Sequence, residues 1–216
     1  MARVGLLGGT FNPPHLGHLV CAQEACVALG LDRVVLVPAG VPPHKEVEAE
    51  PGVEHRIAMC EAAVAGDDRF SVSRADVDRA GPAYTVELLR TVRDESPDDE
   101  LWFIVGGDMA HSLPAWRNPE TVLQLARLAV AEREGVRRDD IAERLAALPG
   151  ALGRVDFFDM PRLDISSSLL RRRAAAGDPL RYLVPDAVAE YIEREGLYTA
   201  PEPAPGGARL SFRDSA

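Results

Sequence analysis

Short apolar runs alternate along this chain with longer stretches of helical period. Residues 3–8 (RVGLLG), 33–37 (RVVLV), 101–105 (LWFIV) and 128–131 (LAVA) are largely continuous apolar segments, and 70–74 (FSVSR) and 155–158 (VDFF) read as further short strands. Runs of this length without in-and-out alternation mark strands buried on both faces. Between them, residues 16–29 (LGHLVCAQEACVAL) carry helical spacing and stop at Gly30, and residues 54–65 do the same before Gly66. Further helices are expected at 85–93 with Thr85 as N-cap, after Asn118-Pro119, and at 139–148, 167–176 and 185–195. Strands that alternate with helices in this way predict an α/β fold with a parallel sheet covered on both faces. Ligands of such sheets sit beyond the carboxyl ends of the strands.

The pattern suits one domain over residues 1–198, with a Pro-, Ala- and Gly-rich tail expected at 199–216. No apolar run approaches the roughly 18–20 residues that cross a bilayer. The N-terminus (MARVGLLGGT) lacks the long apolar stretch of a secretory leader, so a soluble, cytoplasmic protein with no membrane partner is expected. Cys21, Cys26 and Cys60 show no metal-knuckle spacing and fall in apolar stretches, which predicts core packing.

Charge changes this picture in one respect. Asp and Glu number 34 against 24 Lys and Arg, for a formal charge of −10. A broad basic face for nucleic acid is not expected on so acidic a chain. Lys45 is its one lysine, every other member of the 24 being arginine. A compositional preference for arginine explains the bias, and leaves open why a lysine stands at 45.

Three strand ends carry the chemistry. After the first strand comes GGTFNPPHLGHL, residues 8–19. Gly8 and Gly9, followed by Thr10 and Phe11, let a phosphate approach backbone N–H groups. His15 and His18 lie three apart at a helix entry, where imidazoles and the helix N-terminus together suit an anion. A plain turn with solvated histidines is the alternative for either half of this motif alone; the combination favours a site. There is no G-x-x-x-x-G-K-[ST] and no G-x-G-x-x-G, so neither a P-loop nor a dinucleotide fingerprint is present. The second strand leaves through VPAGVPPHK, presenting His44 and Lys45. In ISSSLLRRR, Ser166 and Ser167 open a helix and Arg171 follows one turn later, a second anion cradle. Finally, Tyr84 and Thr85 start a helix, while Gly106, Asp108 and Trp116 follow the LWFIV strand. Asp108 suits ribose hydroxyls, Trp116 a flat heteroaromatic ring and the amides near Thr85 a carboxylate.

The HLGH segment is similar to the (H/T)xGH signature of the nucleotidyltransferase superfamily, which class I aminoacyl-tRNA synthetases share. Taken with PPHK, the Tyr-Thr helix start, GGD with its following Trp and the ISSS…R segment, the chain resembles the bacterial nicotinate-mononucleotide adenylyltransferase family from about residue 3 to residue 198. It departs from the family pattern at Asn12, where Asp is usual, at Ser168 for Thr, and at Arg117, where many relatives carry an aromatic residue. The resemblance implies a Rossmann-like doubly wound sheet with a small C-terminal helical part at about 165–198. It implies ATP and nicotinate mononucleotide as substrates, with Mg²⁺ carried by the ATP phosphates rather than by a protein metal site. His15 and His18 would be catalytic. Gly8, Gly9, Thr10, Phe11, His18, His44, Lys45, Ser166, Ser167 and Arg171 would bind ATP and its phosphates. Tyr84, Thr85, Gly106, Asp108 and Trp116 would seat the mononucleotide. Nicotinamide mononucleotide or another phosphate acceptor, or a non-catalytic nucleotide-binding role on the same fold, stay open at this point. So does oligomeric state, a homodimer included. His55 and His111 are read as structural, and Arg56 as a minor contributor to the phosphate site.

Overall fold

A computed structural model describes residues 1–41, 50–132 and 137–199. Six strands form one sheet: β1 (Arg3–Gly9), β2 (Arg33–Pro38), β3 (Phe70–Val72), β4 (Glu100–Gly106), β5 (Arg127–Glu132) and β6 (Val155–Asp159). Every pairing is parallel and the order is β3-β2-β1-β4-β5-β6. The chain therefore runs outward from β1 to one edge, returns, and runs outward again from β4 to the other. The reversal leaves a crevice between β1 and β4, where Leu7 lies opposite Ile104.

Two-residue periodicity sorts the strand side chains onto two faces. Val4, Leu6, Leu101, Phe103, Val105, Leu128 and Val130 pack with one set of helices: α3 (Thr85–Glu95), α5 (Pro119–Leu125) and α6 (Arg138–Leu145). Leu7, Val34, Leu36, Trp102, Ile104, Ala129 and Phe158 pack on the other face, mainly against α1 (Leu16–Leu29). Cys21, Cys26 and Cys60 are buried in that second layer, as their apolar surroundings predict. A third cluster joins Met59 of α2 (Val53–Val64) to Leu170 of α7 (Ser167–Ala176) and to Val188 and Ile192 of α8 (Asp186–Arg194). α7 and α8 thus dock on the back of α2 as a small helical annex. Among the described residues, no helix is long and apolar enough to cross a membrane.

Two local expectations need correction. Thr85 is not an N-cap: it is the first residue of α3, and Tyr84 holds the cap position with no side-chain hydrogen bond. Directly after β4, where the sequence pattern predicts no helix, the structure has one. Gly107–Ser112 forms a short helix, α4, so Asp108 lies in a first helical turn, where its charge complements the N-terminal partial charge.

Candidate active site

A cavity of about 310 Å³ opens at the carboxyl ends of the strands, across the crevice between β1 and β4. One wall is the loop from β1 to α1. Gly8, Gly9, Thr10 and His18 line it. Gly9 has little room for a side chain: an added Cβ would meet the Phe11 ring at 3.0 Å, so the ring would have to give. Phe11 itself takes a left-handed backbone conformation (φ 50°), which turns its ring inward to 2% exposure. The chain then passes through a cis Asn12–Pro13 peptide and Pro14 into His15, the N-cap of α1.

The two imidazoles are not side by side at the surface. They stack, with ring centroids 3.7 Å apart and planes 23° apart. His15 is 5% exposed and lies behind His18, which lines the cavity and meets the Phe11 ring edge at 5.0 Å. The backbone N–H of His15 donates to His18 Nδ1 at 3.2 Å. An Nδ1 that accepts carries no proton, so neutral His18 holds its proton on Nε2 as a donor.

Tyr84, Thr85 and Gly106 line the facing wall. Asp108 and Trp116 are near it but do not line it. Trp116 packs edge-on against Phe103 (centroids 6.1 Å) and donates from Nε1 to Ser112 Oγ at 3.0 Å. Arg117 lies over the Tyr84 ring, 4.8 Å from its centroid, so this departure from the family pattern covers an aromatic of the facing wall.

Ser167 and Arg171 reach the site through the loop rather than the cavity, and Ser166 is engaged within its own helix. Ser166 caps α7, its Oγ accepting from the Leu169 N–H at 3.2 Å. Ser167 Oγ donates to the Pro13 carbonyl at 2.8 Å, and Arg171 Nη1 donates to the Asn12 carbonyl at 3.0 Å. His44 and Lys45 lie outside the described residues.

Sequence reading underrated or missed three residues. Arg56, 2% exposed, donates to the Thr10 carbonyl at 2.9 Å, the Gly40 carbonyl at 3.4 Å and Glu50 Oε1 at 2.8 Å. It ties the first two strand-end loops together from below. Its signal was available: spacing i, i+3, i+4 puts it on the same helix stripe as buried Met59 and Cys60. Asp76, 4% exposed, lines the cavity while accepting from the Gly40 N–H at 2.9 Å and from Arg79 Nη2 at 3.0 Å. Gly40 sits so close that an added Cβ would fall 2.7 Å from the Asp76 carbonyl oxygen. Tyr198 donates its hydroxyl to Asn12 Oδ1 at 2.6 Å across nearly the whole chain. Burial holds the Tyr198 phenol well above its usual pKa, so it remains a donor at any ordinary pH.

These features define a class. A family model described as cytidylyltransferase-like matches residues 6–173, which spans the cavity together with Arg56, Ser167 and Arg171. A protein of Thermomicrobium roseum named a probable nicotinate-nucleotide adenylyltransferase is 44% identical, over 94% of each chain. One of the same name from Roseiflexus sp. is 46% identical over 91% of this chain and 98% of its own. This chain belongs to the nicotinate-nucleotide adenylyltransferase family. A solved Plasmodium falciparum nicotinic acid mononucleotide adenylyltransferase, complexed with NaAD, shares the fold with a TM-score of 0.72 at 17% identity, over 92% of this chain and 98% of that one.

Proposed function

We propose that the chain transfers the adenylyl group of ATP to nicotinate mononucleotide, giving nicotinate adenine dinucleotide and pyrophosphate. The observation that carries this reading is the cavity at the sheet's reversal, with glycine backbone and the His18 imidazole on one wall and a helix N-terminus on the other. In the reaction a phosphate oxygen of the mononucleotide attacks the α-phosphorus of ATP. The bond from that phosphorus to the bridging oxygen breaks, and pyrophosphate leaves with the electron pair. Such a transfer needs positioning and charge stabilisation rather than a covalent intermediate.

On this reading the backbone from Gly8 to Phe11 approaches the ATP phosphates, and His18 donates from Nε2 to an oxygen that gains charge. His15 stacks behind His18 and supports its orientation. Ser167 and Arg171 bring a hydroxyl and positive charge to the same loop, with Ser166 capping their helix, joined by His44 and Lys45 on sequence grounds. Tyr84, Thr85 and Gly106 border the acceptor, with Asp108 and Trp116 behind them. The N-terminal amides of α3 and the Arg117 charge over Tyr84 favour an acceptor bearing a carboxylate.

Mg²⁺ neutralises phosphate charge when it is bound. The donor set suits an ion that enters with ATP: Asp76, the carboxylate lining the cavity, is engaged by Gly40 and Arg79. Among the described residues no three His, Cys, Asp or Glu gather to hold a metal.

The test is pyrophosphate release by the full chain with ATP, Mg²⁺ and either nicotinate or nicotinamide mononucleotide. Turnover with the acid at the higher kcat/KM is expected. No turnover with either mononucleotide overturns the reading.

A further inference from the structure

The loop carrying the two histidines is held from outside by its backbone. The Thr10, Asn12 and Pro13 carbonyls accept from Arg56, Arg171 and Ser167, and the Leu16 N–H donates to the Leu183 carbonyl at 3.1 Å. Tyr198 grips the loop in another way, at a side chain. Asn12 is 2% exposed, and its Oδ1 receives the Tyr198 hydroxyl. A hydroxyl donor to a buried amide oxygen fixes the Asn12 rotamer as well as its position.

The end of α8 is shaped to deliver that hydroxyl. Gly196 (φ 60°) ends the helix, with its N–H on the Glu193 carbonyl, and Leu197 N–H returns to the Ile192 carbonyl at 2.9 Å. Leu197 is buried in the third cluster, and Tyr198 follows in a left-handed conformation (φ 63°). Residues with a Cβ disfavour that region, and it persists where surrounding contacts fix it. Here the contacts are the apolar cluster around Met59, whose sulfur lies 4.0 Å from the Tyr198 hydroxyl, and Asn12 itself.

We propose that Tyr198 is a positioning residue for the reaction: through Asn12 its hydroxyl sets the Asn12–His15 turn, and with it the stacked pair of His15 and His18. This rests on the function proposed above for the same site. It also gives the Asn12 departure a meaning. Position 12 serves as an acceptor for a buried hydroxyl, a task that a neutral amide oxygen performs without bringing a charge into the loop.

The experiment uses the full-length protein as wild type, Tyr198→Phe, Asn12→Ala and the double variant. Tyr198→Phe keeps the ring and removes only the hydroxyl. It is expected to lower kcat about tenfold, the size of one lost hydrogen bond, with KM for both substrates within twofold and little change in Tm. The double variant should be no slower than Asn12→Ala alone, since both break the same bond. Imidazole ¹⁵N NMR supplies a reading that needs no turnover. The His15 and His18 signals should move in Tyr198→Phe while His111 stays put. Unmoved His15 and His18 signals, a kcat within twofold of wild type, or independent multiplication of the two single effects would each overturn the proposal. A wild type that turns over neither mononucleotide sinks the function reading instead, and the histidine spectra still decide whether Tyr198 sets the pair.

Discussion

The two ends of the parallel sheet both carry hollows of similar size, about 310 Å³ at the carboxyl end and about 390 Å³ at the amino end. Their walls differ. Arg93, Arg127 and Arg154 line the amino-end hollow together with Asp98, Asp99 and Glu100. Those guanidiniums serve the fold. Arg154 donates to the Leu123 carbonyl at 2.8 Å and Arg93 to the Leu125 carbonyl at 2.8 Å, closing the carboxyl end of α5 where helix carbonyls lack partners. Arg127 grips both Asp156 oxygens, at 2.6 and 2.8 Å. At the carboxyl end, glycines, an imidazole and a helix start face the space, and Arg56 and Arg171 hold the loop from behind. Volume does not separate a site from a gap between elements. What separates them is whether polar groups are turned toward the hollow or toward the chain.

The largest effect should come from His18→Ala. Loss of one transition-state donor is expected to lower kcat by at least roughly a hundredfold, measured by pyrophosphate release. A normal kcat would make the carboxyl end as structural as the amino end. Arg56→Ala comes next. Removing a buried guanidinium that joins two loops should cost roughly 3 kcal/mol of stability by denaturant titration and lower kcat as well. Arg127→Ala tests the opposite end. It should lower stability by roughly 1–2 kcal/mol, with kcat unchanged at a temperature where the variant is folded. A fall in kcat there would break the division between the ends.

The smallest effect is a pH dependence. The Arg127 guanidinium, helped by the Trp102 indole N–H, holds the Asp156 carboxyl below the usual carboxylate range. A depressed folded-state pKa contributes stability above the unfolded value and loses it as pH falls through the folded one. The stability gap between wild type and Asp156→Asn should therefore be constant from pH 5 to 8 and close below about pH 4.

Local chemistry made much of the fold legible. α1 and α7 begin and end where the sequence predicts, because a helix entry and a closing glycine (Gly30, Gly177) mark each within a few residues. α4 was hidden: six residues opening on glycine are too few for a helical period to show. The site divides along the same line. Gly8 to His18 form one contiguous motif, readable as such, whereas the order of the imidazoles, one lining and one behind, shows only in the folded loop. Asp76 and Tyr198 meet their partners 36 and 186 residues away, and only the folded chain brings them there.

The hydrogen bond between Tyr198 and Asn12 also bears on how the molecule is made. The loop from Gly8 to His18 precedes all of its supports in the chain: Arg56 follows it closely, but the others sit at 167, 171, 183 and 198. Chains are assembled from the amino end, and contacts across long separations form late. A nascent chain can pair β1 with β2 early, but its histidine loop is completed only once residues 167–198 have followed. An unfinished chain should therefore be a folded half-sheet without a finished site.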